Sequence, residues 1–308
     1  MLLWAGPLTA QAAAPGPAAG FAVLSAAPNG LGHVACTTST IKGDEGSSGA
    51  IANVGCTING NIVQSVSAAV VADFNSAYSA LKKVPCDHTL ATLDVTQTLT
   101  PGVYCFAAGA TATGKTLTLS GPASGIWLFK IGTGGTGALT GTDFSVVMAG
   151  GGQACNVNWW TAEAATLTVD NGKTVPLTPF SGNILAGAAA TATGTAGATS
   201  ALTLTGRVWA GAGVTVTDSN IVGCTAGISV PKTKCKSGTS TDTDENADQT
   251  KDSSKSEGSN NGNDEQGNHG KDCKSGDSDK DKSDKDKSDK QDSNKDDSKE
   301  GDSKRSGD

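Results

Sequence analysis

The chain has 308 residues with 23 Lys and Arg against 30 Asp and Glu, and most of these charges are crowded at one end: residues 225–308 hold 16 of the basic and 21 of the acidic side chains. Residues 1–224 keep only 7 basic and 9 acidic residues, a net of about −2, in a stretch rich in Ala, Gly, Thr and Val. That composition excludes a helical bundle, offers no basic stripe for nucleic acid, and makes a densely charged enzyme site hard to assemble.

In chain order, residues 1–20 come first, with an apolar stretch from Leu2 to Ala14. The small residues Ala10-Gln11-Ala12 and Ala12-Ala13-Ala14 suit a signal peptidase, so this start reads as a secretion signal or leader, although no Lys or Arg precedes the apolar run. At about 13 residues it is too short to span a bilayer, which takes ~20, and no later segment is apolar enough, so no membrane insertion is expected. Eight cysteines, Cys36, Cys56, Cys86, Cys105, Cys155, Cys224, Cys235 and Cys273, suit an oxidising compartment. None shows the C-x-x-C spacing of a zinc or redox motif. Six of them fall before the charged tail; among these, short brackets favour Cys86 with Cys105 and Cys36 with Cys56, which leaves Cys155 with Cys224, although six cysteines allow fifteen connectivities. Cys86-Asp87-His88 reads as a disulfide beside a surface histidine rather than as a metal site or thiol nucleophile.

Over residues 65–83 the apolar positions Val66, Val70, Phe74, Ala77, Tyr78 and Leu81 recur at three and four, predicting one amphipathic helix of roughly 27 Å that Pro85 ends. After it the period changes to two. Alternating runs at 98–106, 116–119, 126–131, 144–148, 155–160, 166–169, 180–185, 201–209 and 214–216 are separated by Gly, Asn, Asp and Pro. Frequent corners with an apolar stripe fit either a stacked β-solenoid or a many-stranded sandwich. The solenoid is favoured, in an irregular form, because small residues dominate the corners and no hairpin dipeptide recurs. From about residue 230 the chain offers almost nothing to bury, and its closely alternating charges predict a disordered, hydrated tail that serves as a linker or cell-wall tether.

Thr supplies 26 of the 129 residues from 89 to 217. Five pairs flank an aliphatic residue: Thr98 and Thr100, Thr116 and Thr118, Thr166 and Thr168, Thr203 and Thr205, Thr215 and Thr217. On a strand both members of a pair point outward ~6.7 Å apart, and the next strand of a stacked sheet lies ~4.7 Å away. Aligned pairs make an uncharged grid of methyls and hydroxyls suited to ordered water. Thr is also simply a good residue for an exposed sheet face.

The segments Phe21-Ala-Val-Leu24, Ser39-Thr-Ile-Lys-Gly-Asp44, Leu99-Thr-Pro-Gly-Val-Tyr-Cys-Phe106, Ile126-Trp-Leu-Phe-Lys-Ile-Gly132, Gln153-Ala-Cys-Asn-Val-Asn-Trp159, Gly182-Asn-Ile-Leu-Ala186 and Thr205-Gly-Arg-Val-Trp-Ala210 resemble, in order over residues 21–224, the successive signatures of the ice-binding (DUF3494) protein family. The resemblance implies a mostly β fold: a discontinuous β-solenoid of triangular section with a long helix packed alongside. It also implies secretion and adsorption to ice. Thr133 and Thr136, in Thr133-Gly-Gly-Thr136, resemble a short pattern on the ice faces of some members and join the candidate set. The charged tail and the extra cysteines Cys36 and Cys56 depart from the family's usual form.

Other motifs fail. In Gly134-Gly-Thr-Gly-Ala-Leu139, Leu139 stands where a calcium β-roll needs Asp. The glycines near Gly132 are too isolated for a dinucleotide loop, and His33, His88 and His269 form no recognisable triad order. Trp127, Trp159 and Trp160 could stack on sugar rings, although alternation puts at least one of the Trp159-Trp160 pair inside. The sequence therefore predicts a leader over 1–20, an ice-binding solenoid over 21–224 and a charged tail over 225–308. The expected protein is secreted, non-enzymatic and monomeric, with no cofactor, no metal and the ice crystal as its partner; an extracellular adhesive or structural cell-surface protein on the same fold, binding carbohydrate or wall material, is the alternative.

Overall fold

The computed structural model describes residues 16–169, 178–195 and 202–232. Of the expected leader over 1–20, residues 1–15 lie outside the described residues, as does the charged tail beyond Lys232. Three walls of parallel strands enclose one apolar interior. Wall A has nine strands, in the order Ile62–Gln64, Asp44–Ser47, Phe21–Ser25, Val208–Ala210, Asn183–Ala186, Val157–Thr161, Trp127–Ile131, Gly102–Phe106 and His88–Thr89. Wall B has seven: Ala110–Thr113, Leu139–Thr142, Ala165–Thr168, Ala190–Thr193, Val214–Thr217, His33–Thr37 and Ala50–Val54. Wall C is split into two sheets. One holds Ser145–Ala149, Thr116–Ser120 and Gln97–Leu99; the other holds Thr178–Ser181, Leu202–Thr205, Ser219–Val222, Thr40–Lys42 and Thr57–Asn59.

The chain visits the walls in the order A, B, C, and a full circuit adds one rung to each; the coil from His88–Thr89 to Gln97–Leu99 has no wall B strand. The stack is discontinuous. The first coils dock on the last, with Val23 beside Val208 on wall A, Val34 beside Val214 on wall B and Ile41 beside Ile221 on wall C. The corner after a wall B strand is left-handed at Thr38, Gly55, Gly114, Asp143 and Asp218. Gly and Asp tolerate that conformation best, which explains why these residues end the Thr-rich runs.

Several runs that read as single strands are two. Residues 98–106 divide at Thr100 and Pro101, 180–185 at Gly182 and 201–209 at Gly206. Apolar alternation continues around a solenoid corner, so it does not mark the corner. The two glycines do mark theirs, with φ of 128° and 150°.

The interior is filled mainly from wall A. Tyr104, Phe129 and Trp159 stack along the axis with ring centroids 5.4 and 4.0 Å apart, and Phe180 joins Trp159 at 5.2 Å. The indole N–H groups of Trp127, Trp159 and Trp209 donate to the carbonyls of Leu99, Ser181 and Phe21. Trp127, Trp159 and Trp160 are all buried, so none is free to stack on a sugar. Trp159 faces the interior and Trp160 faces the helix.

The helix α1 covers Ala68–Lys83 and presents Val70, Phe74 and Leu81 to the outer side of wall A. It starts three residues later than the periodicity predicts, because Ser65 is left-handed (φ 60°) and Ser67 is extended. At its other end Lys130 Nζ donates to the carbonyls of Lys82 and Val84 at 2.8 and 2.6 Å. A cation there satisfies carbonyls that the helix cannot and opposes its dipole. Burial holds the Lys130 amine below its ordinary pKa.

Disulfides join Cys36 to Cys56, Cys86 to Cys105 and Cys155 to Cys224. His88, beside the second bond, stacks on Tyr104, and Asp87 Oδ2 accepts from the Val103 amide. The folded body also takes in residues on both sides of 21–224. Ala18 is buried with its amide donating to Asp73 Oδ2 at 2.9 Å, and Ile228 and Ser229 are buried, the carbonyl of Ser229 accepting from Asn158. Arg207, fully buried, ties these ends together. Its guanidinium donates to Asn183 Oδ1 and to the carbonyls of Ala19, Cys224 and Ala226. Burial lowers its pKa to about 10, partly offset by Asp73, so it stays charged at neutral pH.

Candidate functional site

The three walls differ in what they leave to solvent. Wall A is covered on its outer side by α1, which buries Leu24, Val103, Leu128, Trp160, Leu185 and Trp209. The outer side of wall C is uneven. One of its columns reads Pro179, Thr203, Asn220, Thr40 and Thr57, and the next reads Ser181, Thr205, Val222, Lys42 and Asn59.

Wall B is different. Register aligns Thr111, Thr140, Thr166, Thr191 and Thr215 in one column and Thr113, Thr142, Thr168, Thr193, Thr217 and Thr37 in a second. Eleven threonines thus form two parallel ladders, which continue as Ala35 and Ala52 in the first and as Val54 in the second. With columns ~6.7 Å apart and rungs ~4.8 Å apart, the result is a two-dimensional lattice of hydroxyls and methyls. Thr142 and Thr168 hydroxyls are 3.3 Å apart, in direct contact between rungs. Across the seven strands the only titratable side chain is His33, on the rim.

The interior explains why this wall is even. Its inward positions are mostly small: Ala110, Ala112, Gly141, Ala165, Ala190 and Ala192, with Leu139, Leu167, Val214 and Val216 between. They lie in the same core as the wall A aromatics, which leave them little space. A Cβ on Gly141 would lie 2.9 Å from Leu167 Cδ2 and 3.2 Å from Phe144 Cβ. Large residues from one wall against small ones from the other keep wall B's rungs level.

The structure divides the threonines singled out from sequence. Thr166, Thr168, Thr215 and Thr217 lie in the ladders of wall B. Thr98, Thr116, Thr118, Thr203 and Thr205 are on wall C, Thr100 lies in a corner, and Thr133 and Thr136 sit in the turn between walls A and B. These eight do not share the plane of the other four. Thr133 Oγ1 is committed to the Phe106 carbonyl. Sequence reasoning missed Thr37, Thr111, Thr113, Thr140, Thr142, Thr191 and Thr193. The signal was present as Ala-Thr-Ala-Thr, twice, and Leu-Thr-Gly-Thr, but a search for Thr pairs around a large aliphatic residue passes over Ala and Gly.

Among the described residues no group of three or more His, Cys, Asp or Glu is placed to hold a metal, and no helix is long and apolar enough to cross a membrane.

Known proteins agree with this architecture. The sequence profile described as ice-binding-like matches residues 20–222. The chain belongs to the ice-binding-like family. A protein named as an ice-binding protein from Nostoc sp. (strain HG1) is 35% identical over 133 residues, 42% of this chain and 45% of that protein, so the chain spans about half the length of that relative. The crystal structure of an ice-binding protein from an Antarctic Flavobacteriaceae bacterium matches with TM-score 0.55 and 29% identity, covering 68% of this chain and 47% of the other. That of an ice-binding protein from the Antarctic ascomycete Antarctomyces psychrotrophicus matches with TM-score 0.55 over 69% of this chain and 98% of its own; at 24% identity the likeness is one of fold.

Proposed function

We propose that this family member is a secreted, non-enzymatic ice-binding protein that adsorbs to ice through wall B and so restrains ice growth or recrystallisation. The observation that carries the reading is the pair of threonine ladders, eleven residues in strict register on an otherwise uncharged wall. Each hydroxyl can hold a water and each methyl pair can frame one, so the plane bears an ordered water layer that ice can incorporate. The strands are fixed by their ladders, by the packed interior and by three disulfides, so the plane loses little conformational entropy on binding. Many weak contacts made at once then amount to near-irreversible attachment.

Family membership and the names of the relatives support the same reading. Carbohydrate adhesion draws no support from the tryptophans, which are buried. The charged tail serves in this proposal as a hydrated spacer or wall tether. A single ice crystal grown in a micromolar solution of the protein tests the reading. Faceting and a gap between melting and freezing temperatures are expected; round, unshaped crystals at every concentration would overturn it.

A further inference from the structure

The solenoid's two ends are finished differently. At the end bearing His88–Thr89 and Gln97–Leu99, the segment 90–96 crosses the opening. Leu93 is 1% exposed in the interior, and Asp94 Oδ1 accepts from the Thr113 amide at 3.0 Å, satisfying a donor on the outermost strand of wall B.

At the opposite end, Ala50–Val54, Thr57–Asn59 and Ile62–Gln64 are the outermost strands of walls B, C and A, with no described strand beyond them. Their inward positions are Ile51, Ile58 and Ile62, which continue the interior columns of Val34, Ile41 and of Val23 with Glu45, and Asn53, which continues the column of Cys36 and donates to Glu45. Ile51 and Ile58 are only partly buried, Ile62 is 55% exposed, and Val54 on the outer face is 66% exposed. Residues 50–64 contain no charged side chain and no proline. Exposed edges are ordinarily blunted by charge, proline or a covering segment. Here three edges and the end of the apolar interior are presented together.

In place of the monomer expected from the sequence, we propose that two copies of this chain join end to end through residues 50–64 about a two-fold axis. The strand lengths choose the orientation: wall B ends in five residues, and walls A and C each end in three. A two-fold axis perpendicular to wall B pairs its edge strand with the same strand of the second copy, antiparallel and centred on Ala52. It also sets each wall A edge against the other copy's wall C edge, so strands of equal length meet. Ile51 then lies beside Asn53 of the second copy, and Ile62 of each copy closes against Ile58 of the other. The two wall B sheets then form one continuous plane, with both pairs of threonine ladders facing the same way. The consequence for ice rests on the proposed function, but the association itself does not.

Sedimentation equilibrium of the full chain across the micromolar range tests the proposal without ice. A concentration-dependent shift to twice the chain mass is expected. Ile58→Lys and Ile62→Lys, both off wall B, place an unpaired ammonium where the two interiors would close, and each is expected to give a monomer with an unchanged circular dichroism spectrum. A single-chain mass at all concentrations, or a dimer that both variants leave intact, overturns the proposal. So does a monomer whose 50–64 amides resist hydrogen exchange, since another part of the same chain would then cover this end. The monomeric variants are expected to shape ice at lower potency per chain. A dimer that does not shape ice would refute the functional reading and leave the association standing.

Discussion

Replacing Thr166 by Lys puts the face at risk with little risk to the fold. Thr166 is third of five in its ladder, with Thr140 and Thr191 one rung to either side at ~4.8 Å and Thr168 ~6.7 Å along the same strand. A hydrated ammonium on a flexible four-carbon stem displaces the water layer over all four positions. If each ladder threonine contributes ~0.5 kcal/mol to attachment, at the low end for a net hydrogen bond, losing four costs ~2 kcal/mol, or about 30-fold in residence on the crystal. Because the side chain points outward, stability should change by less than ~0.5 kcal/mol, about 1–2 °C in Tm for a body of this size. Nanolitre osmometry should therefore show thermal hysteresis falling by more than half while calorimetry shows a protein Tm within about 2 °C of the wild type. Thr118→Lys, on wall C, is the matched control and should keep full activity. Wild-type hysteresis in Thr166→Lys, or an equal loss in Thr118→Lys, would refute the assignment of the face.

Three further outcomes follow from the interior. Arg207→Ala leaves the Ala19, Cys224 and Ala226 carbonyls and Asn183 Oδ1 without their donor; breaking a buried charged network costs ~3 kcal/mol or more, so Tm should fall by about 6–12 °C, whereas a shift under 2 °C would show that the network adds nothing. Glu45 is fully buried; among the described residues Asn53 donates to it at 2.6 Å and its Oε1 has no partner, and burial raises its pKa above the ordinary carboxylate value despite that bond. The folded protein thus holds the proton where the unfolded chain has lost it, and stability declines as pH rises from about 4.5 through the folded value. Glu45→Gln should raise Tm at pH 7 and make no difference at pH 3, and a gain that is the same at both would rule out ionisation as the cause. Gly141→Val should cost ~1–3 kcal/mol by overpacking against Leu167 and Phe144 and also lower hysteresis by bowing the face, so unchanged hysteresis in the folded variant would mean that evenness is not required.

The elements that pack by size were legible in the sequence. The helix declares itself because Val70, Phe74 and Leu81 must meet wall A at a 3.6-residue period. Trp127–Ile131 declares itself as a continuous apolar run because wall A is buried on both sides, by the interior and by α1. Ala110–Thr113 and Ala190–Thr193 were passed over for the converse reason, since their interior positions are occupied by the smallest side chains and carry almost no hydrophobic signal. The order of the coils was not legible either. Docking of Phe21–Ser25 on Val208–Ala210 depends on contacts far apart in the chain, among them the Trp209 indole donating to the Phe21 carbonyl at 2.9 Å and the Arg207 guanidinium donating to the Ala19 carbonyl at 3.0 Å, and no local period encodes these.

The same asymmetry that hid wall B qualifies it for function. A triangular tube whose walls all carried large inward residues would bulge on every side. Here the bulk is assigned to wall A, whose outer side is given to the helix, and the small residues are assigned to wall B, whose outer side is free. Wall C takes the irregularity: it breaks into two sheets and carries Pro179 and Lys42 on its exterior. The early coils matter for the same reason. His33–Thr37 and Ala50–Val54 add two rungs to wall B beyond Val214–Thr217, and Thr37 lengthens the second ladder. The N-terminal coils therefore extend the candidate face as well as closing the stack, and losing them would shorten the plane and expose the interior in a single step.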